Sequence, residues 1–302
     1  FGDENSAVSF DKELSENNIV TIQPDSLRIL HNPLTGWVLY ASMGVDAADF
    51  WAQYDHMYIP ELGHNVSVTD YAHTLYIRAS WTDFNPQEDV YGWKIDSNLR
   101  AYIEGAYQRN MRLAFRVVVD SRDKRTEFTP QFVKDAGAKG FMNKGKWSPY
   151  SDDPVFQKYY TKFVKALAKD FNDPSKVEFI DGFGLGKWGE YHTMIYSTGD
   201  DTPKKAVFDW VTDIYSQAFD KVPVVINYHR WIGAGKDWVD DEHFAADSEE
   251  MLEEAIKKGY SLRHDAFGMT TYYGSWERRF AKKYRNICPI IMEGGWIVKS
   301  HS

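Results

Sequence analysis

Short apolar runs of β-type residues alternate along the chain with longer stretches in which apolar residues recur at helical spacing. Nearly continuous hydrophobicity over so few residues is typical of strands that are buried on both faces, as in a parallel sheet. The alternation predicts βα units, in which helical crossovers join successive parallel strands. The predicted strands cover residues 36–40, 74–78, 111–119, 177–183, 222–229, 260–265 and 289–293.

Several of the intervening helices have recognisable start signals. Asp153-Pro154 and Thr202-Pro203 each place a polar capping residue before a proline, and proline is favoured in the first turn of a helix. Asp247-Ser248 likewise places polar capping residues before a stretch in which apolar residues recur at helical spacing. Helices are predicted near residues 96–107, 154–167, 203–215 and 247–256.

Seven strands with intervening helices predict an α/β fold of the (β/α)8 TIM-barrel type. An open doubly wound sheet is the alternative, but no G-x-G-x-x-G motif follows the first predicted strand. The sequence ends nine residues after Glu293, so we expect a barrel that lacks its last strand and helix, unless residues 18–22 supply a strand. We expect residues 1–17 to form a mobile acidic arm and residues 18–302 to form a single barrel domain.

Composition narrows the function classes. With 43% hydrophobic and 26% charged residues the chain is typical of a globular protein, and no apolar run approaches the ~18 residues of a membrane helix. The net charge of −9 argues against a nucleic-acid partner, and the one cysteine excludes a disulfide framework within the chain. The aromatic fraction of 16% is high, and aromatic rings stack on sugars, so a carbohydrate-binding cleft is a reasonable hypothesis.

Two glutamates follow predicted strands and are candidates for catalysis. Glu190 lies in the glycine-rich and aromatic segment after the fourth strand, and Glu293 ends the seventh, where an unpaired carboxylate would be costly. Barrel enzymes carry catalytic groups at the carboxyl ends of strands, so we expect both carboxylates to face one cleft. Two such carboxylates can hydrolyse a glycoside. The alternative for Glu293 is a structural ion pair with Arg78 or Arg116. The alternative for Glu190 is a carboxylate that is exposed to solvent in a loop.

Four segments resemble known glycosidases. Residues 78–93 (RASWTDFNPQEDVYGW) resemble the second strand and loop of clan A glycoside hydrolases. Residues 32–37 (NPLTGW) and 186–192 (GKWGEYH) are similar to a little-characterised group of bacterial glycosidase-like barrels with N-P-x-x-G and G-x-W-G-E-W motifs. Residues 263–267 (RHDAF) resemble the sixth-strand segment of the same group.

The resemblance implies a glycosidase that acts on a polysaccharide or oligosaccharide, with Glu190 as acid/base and Glu293 as nucleophile of a retaining mechanism. It also implies that Arg78 supports the nucleophile, that Tyr272 or Tyr273 donates a hydrogen bond to it, and that the protein is bacterial and secreted, periplasmic or on the cell surface. No cofactor or metal is expected, and the oligomeric state is left open. The residues expected to bind substrate are Arg78, Trp81, Trp188, His192, His229, Asp265, Tyr272, Tyr273 and Trp296.

Other interpretations remain open. Clan A enzymes usually have asparagine before the acid/base glutamate, whereas this chain has Gly189, and a Gly-Glu pair is also similar to the inverting β-amylases. The mechanism is therefore retaining or inverting, and a non-catalytic carbohydrate-binding barrel is a further alternative. A metal enzyme built on His192, His229, His264 and Asp265 is disfavoured because no H-E-x-x-H spacing occurs. A serine hydrolase lacks its G-x-S-x-G motif.

Overall fold

The computed structural model describes residues 36–41, 43–122, 126–236, 242–269 and 272–294, with the backbone alone for residues 242–244. The predicted acidic arm, the possible strand at residues 18–22, the beginning of the N-P-x-x-G motif and Trp296 lie outside the described residues.

The described residues contain eleven strands, of which seven form one parallel sheet and four form two antiparallel hairpins. The sheet strands are β1 (Trp37–Tyr40), β4 (Ala72–Ser80), β5 (Arg112–Val118), β8 (Val177–Asp181), β9 (Val224–Asn227), β10 (Ser261–Phe267) and β11 (Ile290–Gly294). The hairpins pair β2 (Met57–Ile59) with β3 (His64–Val66) and β6 (Gly140–Asn143) with β7 (Lys146–Pro149). All seven sheet strands coincide with the predicted apolar runs.

The seven strands lie in the order in which the chain makes them, and neighbours are parallel. A doubly wound sheet would reverse this order near its middle. The sheet is also curled, because the guanidinium of Arg263 on β10 lies 4.7 Å from the ring centroid of Tyr76 on β4, although three strands lie between them in the sheet. The predicted barrel class is therefore confirmed, with β1 and β11 as the two sheet edges in the part of the chain that the structure describes.

The helices cover the outside of the sheet. They are α1 (Ala47–Asp55), α2 (Trp81–Phe84), α3 (Gly92–Ile95), α4 (Ser97–Gln108), α5 (Gln131–Asp135), α6 (Pro154–Phe171), α7 (Lys204–Ala218), α8 (Glu242–Lys257) and α9 (Ser275–Tyr284). The Asp153 side chain accepts hydrogen bonds from the first amides of α6, as predicted. Helix α8 begins before the predicted start, and Ser248 lies inside it, where its hydroxyl accepts a hydrogen bond from the Ile232 amide.

The barrel interior has an apolar layer below a polar one. Side chains two positions apart on a strand share a face, so a strand can contribute one residue to each layer. The apolar layer consists of Tyr76, Ala114, Phe179 and Val225, with Ile291 packed against them. Two residues further along the same strands stand Arg78, Arg116, Asp181, Asn227 and Glu293. This change from apolar to polar side chains places the charged groups toward the carboxyl ends of the strands.

Candidate active site

Two arginines and two aspartates form the centre of the polar layer, and we call them the Arg–Asp quartet. Arg116 places its Nε 2.9 Å from Oδ2 of Asp181 and its Nη2 2.8 Å from Oδ1 of Asp265. Arg263 places its Nε 3.3 Å from the same oxygen of Asp181 and its Nη2 2.9 Å from the same oxygen of Asp265. Each arginine therefore contacts both aspartates, and all four side chains are buried.

Three members of the quartet, Arg116, Arg263 and Asp265, are held in their charged forms. Burial alone would raise the pKa of Asp265, but the guanidiniums of Arg116 and Arg263 outweigh burial and hold this pKa well below its usual range. Burial would lower the pKa of Arg116, and the two aspartates raise it instead. The quartet carries no net charge, so charge balance offsets the cost of removing four ions from water.

Two neutral side chains donate further hydrogen bonds to the aspartates. The Asn227 amide donates to Oδ2 of Asp265 across 2.9 Å, and the Tyr76 hydroxyl donates to Oδ2 of Asp181. Burial raises the pKa of Tyr76, which keeps its hydroxyl protonated and able to donate. The aspartates are thereby fixed in orientation as well as in charge.

Glu190 lies beside the quartet, directly after a 3₁₀ turn at Lys187–Gly189. Its side chain is 11% exposed. One carboxylate oxygen lies 3.6 Å from Nη1 of Arg116, and the other lies 3.2 Å from Nε2 of His192. Glu190 is therefore an enclosed carboxylate with cationic and imidazole neighbours.

Glu293 contacts the quartet from the other side. Its Oε2 pairs with Nη2 of Arg263, and its side chain is 35% exposed. Burial and the neighbouring Asp265 carboxylate raise the pKa of Glu293, and Arg263 offsets this only in part. Glu293 also lines a cavity of about 480 Å³ together with Trp37 and Tyr40 of β1. The structure thus joins both predicted glutamates to one quartet, but Glu293 lines this cavity and Glu190 does not.

The loop that carries Glu190, residues 184–194, has an unusual backbone, and we call it the Glu190 loop. Gly186 and Gly189 have positive φ, and so do the non-glycine residues Trp188 (φ 59°), Tyr191 (φ 61°) and Thr193 (φ 51°). Non-glycine residues rarely adopt this region, and such strain clusters at functional sites.

Gly189 stands at the position where the sequence departs from the clan A pattern. It has φ +72°, and a Cβ there would lie 3.3 Å from a methyl carbon of Val118 and 3.4 Å from Cδ of Arg116. A larger side chain at this position would meet the arginine that faces Glu190.

Two side chains from other strands hold the Glu190 loop through its backbone carbonyls. His229, after β9, places its Nε2 2.8 Å from the Glu190 oxygen. Arg78, near the end of β4, donates from Nη2 to the Trp188 oxygen across 2.8 Å. The resemblance assigned Arg78 to the nucleophile, but Arg263 is the arginine that contacts Glu293. The expectation for Arg78 is corrected because its guanidinium is directed to the loop.

Two of the residues expected to bind substrate, His229 and Asp265, are buried within the protein. His229 is completely buried and uses both ring nitrogens within the protein, since its Nδ1 accepts from the Trp231 amide at 3.2 Å. Asp265 belongs to the quartet and its side chain is 6% exposed. Contacts with the protein therefore replace the expected contacts with sugar hydroxyls at both residues.

The two candidate tyrosines pack beside His264. The ring centroid of Tyr272 lies 5.3 Å from that of His264 and 5.8 Å from that of His229. Tyr273 lies 4.7 Å from the His264 ring and accepts a hydrogen bond from the Tyr228 hydroxyl at 3.3 Å. Their contacts place them in an aromatic cluster, and the hydrogen bond expected from one of them to Glu293 is not made.

The three candidate tryptophans have different positions. Trp81 is fully buried, with its ring centroid 5.2 Å from that of Tyr160 on α6, so the expectation that it binds sugar is wrong. Trp188 is half-buried, and Lys187 Nζ lies 4.3 Å from its ring centroid. Trp296 lies outside the described residues.

Three of the four quartet members are not predicted from the sequence as site residues: Arg116 is considered only as an ion-pair partner, Arg263 only as part of the sixth-strand motif, and Asp181 has no role. The signal that marks them is a charged side chain two positions after an interior apolar residue, as in Ala114-Phe-Arg116 and Phe179-Ile-Asp181. A charge on the buried face of a strand requires a partner, which makes it a candidate for the site.

Among the described residues, no three His, Cys, Asp or Glu side chains are grouped so that they could hold a metal ion. The helices described here include none with the length and apolarity needed to cross a bilayer.

No known protein family and no curated protein matches the chain. Solved structures with similar folds include endoglycoceramidase II from Rhodococcus sp., which is 13% identical, with a TM-score of 0.46 over 88% of this chain and 75% of that one. An endo-1,4-β-xylanase from Caldicellulosiruptor owensensis is 13% identical, with a TM-score of 0.44 over 74% and 63% of the two chains. An intracellular xylanase from Thermoanaerobacterium saccharolyticum is 9% identical, with a TM-score of 0.44 over 87% and 88%.

Proposed function

We propose that the chain is a glycoside hydrolase that cleaves a polysaccharide or oligosaccharide with Glu190 and Glu293 as its catalytic pair. The observation that carries the proposal is the attachment of both glutamates to one buried Arg–Asp quartet, through Arg116 and Arg263. Glu190 follows β8 and Glu293 lies near the end of β11, and barrel enzymes carry their catalytic groups at the carboxyl ends of strands.

The proposed roles are those that the resemblance implies for the two glutamates. Glu190 is the acid/base: it gives a proton to the leaving glycosidic oxygen and later takes one from water. Glu293 is the nucleophile: its carboxylate forms a bond to the anomeric carbon as the bond to the leaving oxygen breaks. The partial exposure of the Glu293 side chain and its contact with Arg263 support this role, since a nucleophile must reach the substrate and be ionised.

The test uses the full chain and three glutamine variants on a panel of nitrophenyl glycosides and soluble polysaccharides. We expect Glu190→Gln and Glu293→Gln to lower kcat by about 1,000-fold or more while sugar binding stays nearly intact. Glu104→Gln is the matched control, because Glu104 is an exposed helical carboxylate in a pair with Arg100. Turnover that survives in both variants would remove this pair from the mechanism.

The stereochemical course is a separate part of the proposal. We propose a double displacement with retention, and proton NMR of the first product from a productive glycoside reads the configuration directly. Retention supports a glycosyl-enzyme on Glu293, whereas inversion would make Glu293 the base that activates a water.

A non-catalytic carbohydrate-binding barrel is the second candidate, and the enclosure of Glu190 away from the cavity favours it. This candidate predicts no turnover on any glycoside and sugar binding that is unchanged by either glutamine variant. Calorimetric titration with oligosaccharides measures that binding in parallel with the activity panel.

A further inference from the structure

His229 makes a specific connection between the end of β9 and the Glu190 loop. Its Nε2 lies 2.8 Å from the backbone oxygen of Glu190, and its Nδ1 lies 3.2 Å from the backbone nitrogen of Trp231. A carbonyl oxygen only accepts hydrogen bonds, so Nε2 carries the proton and Nδ1 accepts from the Trp231 amide. The ring therefore has one tautomer that satisfies both neighbours.

The surroundings of the His229 ring favour this neutral tautomer. His229 is completely buried. Burial and the neighbouring His192 lower the pKa of His229 to about 3, so the ring is neutral near neutral pH. A buried neutral imidazole with both nitrogens occupied has no group left for substrate, and its influence on chemistry passes through Glu190.

The Glu190 loop needs such a connection because its backbone is strained on both sides of the glutamate. Trp188 and Tyr191 flank Glu190 with φ of 59° and 61°. Strained conformations persist only where surrounding contacts determine them. Arg78 holds the Trp188 oxygen and the Gly233 amide donates to the Tyr191 oxygen, whereas His229 holds the carbonyl of Glu190 itself.

We propose that His229 is a positioning residue whose bond to the Glu190 carbonyl keeps the Glu190 carboxylate between Arg116 and His192. The effect of His229 on catalysis rests on the proposed glycosidase function. The positioning is a property of the loop, so it is measured separately from activity.

Two substitutions separate the hydrogen bond from the bulk of the ring. His229→Gln keeps an amide donor at the reach of Nε2, and His229→Asn is too short to donate to the Glu190 oxygen. His264→Asn is the matched control, because His264 on β10 is also completely buried and its Nδ1 accepts from the Ala266 amide two residues further along the same strand. The control reports the general cost of losing a buried histidine.

Hydrogen exchange read by mass spectrometry tests the positioning in the full chain. We expect His229→Asn to speed exchange of the amides in residues 184–194 by about 10- to 100-fold, with His229→Gln within about 3-fold of the unsubstituted protein. His264→Asn should leave this peptide unchanged. Unchanged exchange in His229→Asn, or an increase spread evenly over the molecule, overturns the proposal.

Kinetics test the consequence for catalysis. On a productive glycoside we expect His229→Asn to lower kcat by about 10- to 100-fold with KM within about 3-fold, and His229→Gln to restore most of kcat. Full kcat in His229→Asn overturns the catalytic role. If no glycoside is turned over by any form of the protein, the proposed function fails, while the exchange data still decide the positioning.

A measurement on the unsubstituted protein keeps the proposal testable if His229→Asn does not fold. Nitrogen NMR of histidine-labelled protein identifies the tautomer of each ring, with His229 assigned by its loss in His229→Gln. A proton on Nε2 between pH 5 and pH 8 supports the bond to Glu190. A proton on Nδ1, or a charged ring in this range, overturns it.

Discussion

Arg116 reaches across the barrel to Asp265, where its Nη2 lies 2.8 Å from one carboxylate oxygen and 3.0 Å from the other. Arg116 stands on β5 and Asp265 on β10, with β8 and β9 between them in the sheet. The bond therefore ties opposite walls of the barrel together at the level of the candidate site. An ion pair that is so deeply buried stabilises only while both partners are present, because either charge alone would lack compensation.

The first prediction is that Arg116→Met destabilises the fold strongly. The substitution leaves Asp181 and Asp265 with Arg263 as their remaining arginine, and removing one member of a buried pair costs about 3–5 kcal/mol. Urea denaturation followed by circular dichroism measures the loss. Arg100→Met is the control, since Arg100 forms an exposed pair with Glu104 and should change the free energy of unfolding by less than about 1 kcal/mol. Equal effects of the two variants would show that the quartet does not stabilise the barrel.

The sequence predicted the sheet strands because a strand buried on both faces is apolar over its whole length. It did not predict the quartet, because Arg116 and Asp265 are 149 residues apart and strand pattern alone does not say which strands face each other across a barrel. The apolar-to-polar change within each strand could have identified Arg116 and Asp181 as interior, but not as partners. Barrel closure, which brings them together, is a property of the whole sheet.

The error at Trp81 has a local cause. A tryptophan after a strand end was expected to face the cleft, but Ser80 and Asp83 form a reciprocal capping box that begins α2 at Trp81. The helix turns the ring away from the barrel mouth and into the layer between sheet and helices.

The second prediction contrasts two tryptophans. Trp81→Ala should cost about 3–5 kcal/mol of unfolding free energy, because it leaves a cavity among the rings of α6, and should not weaken sugar binding by the folded protein. Trp188→Ala should weaken binding with a smaller loss of stability, since its ring is half-buried beside Glu190. Thermal denaturation and calorimetric titration with oligosaccharides measure the two effects. The reverse result would place Trp81 in the binding site after all.

The third prediction concerns stability in acid. Burial lowers the pKa of His229 to about 3 and that of His264 to about 4, whereas the ordinary value is 6.5. Below pH 6.5 the unfolded chain binds protons at both positions and the folded chain does not, so stability present above pH 6.5 is lost as the pH falls. Each histidine contributes about 1.4 kcal/mol per pH unit in this window.

His229→Gln removes one of these two contributions. The decrease in unfolding free energy between pH 7 and pH 4.5 should be about 2–3 kcal/mol smaller in this variant. Urea denaturation at both pH values gives the comparison, with exposed His64→Gln as control. Identical pH dependence in the His229 variant and the unsubstituted protein would mean that the ring is charged in the folded state.

The fourth prediction concerns the pH dependence of activity. Burial and the Asp265 carboxylate raise the pKa of Glu293, and the proposed nucleophile must be ionised. The acid limb of kcat/KM should therefore lie above the ordinary glutamate value of 4.5, and activity should rise as the pH increases through it. Asp265→Asn removes the nearby negative charge and should move the limb to lower pH. If the acid limb of kcat/KM does not move in Asp265→Asn, and this variant remains folded at each pH, the limb reports the ionisation of a group other than Glu293.

The fifth prediction separates the backbone strain at Gly189 from its contacts. Gly189 and Gly63 both have φ near +70°, but a Cβ at Gly63 would meet nothing within 4 Å, whereas one at Gly189 would lie 3.4 Å from Cδ of Arg116. Each alanine substitution should cost about 1–2 kcal/mol of stability for the left-handed backbone. Gly189→Ala alone should also lower kcat, because the added methyl group would crowd Val118 at 3.3 Å and contact Cδ of Arg116, whose Nη1 faces Glu190. Urea denaturation and initial rates on the same samples provide both numbers, and equal kcat in the two variants would show that the packing of Gly189 against Arg116 has no part in catalysis.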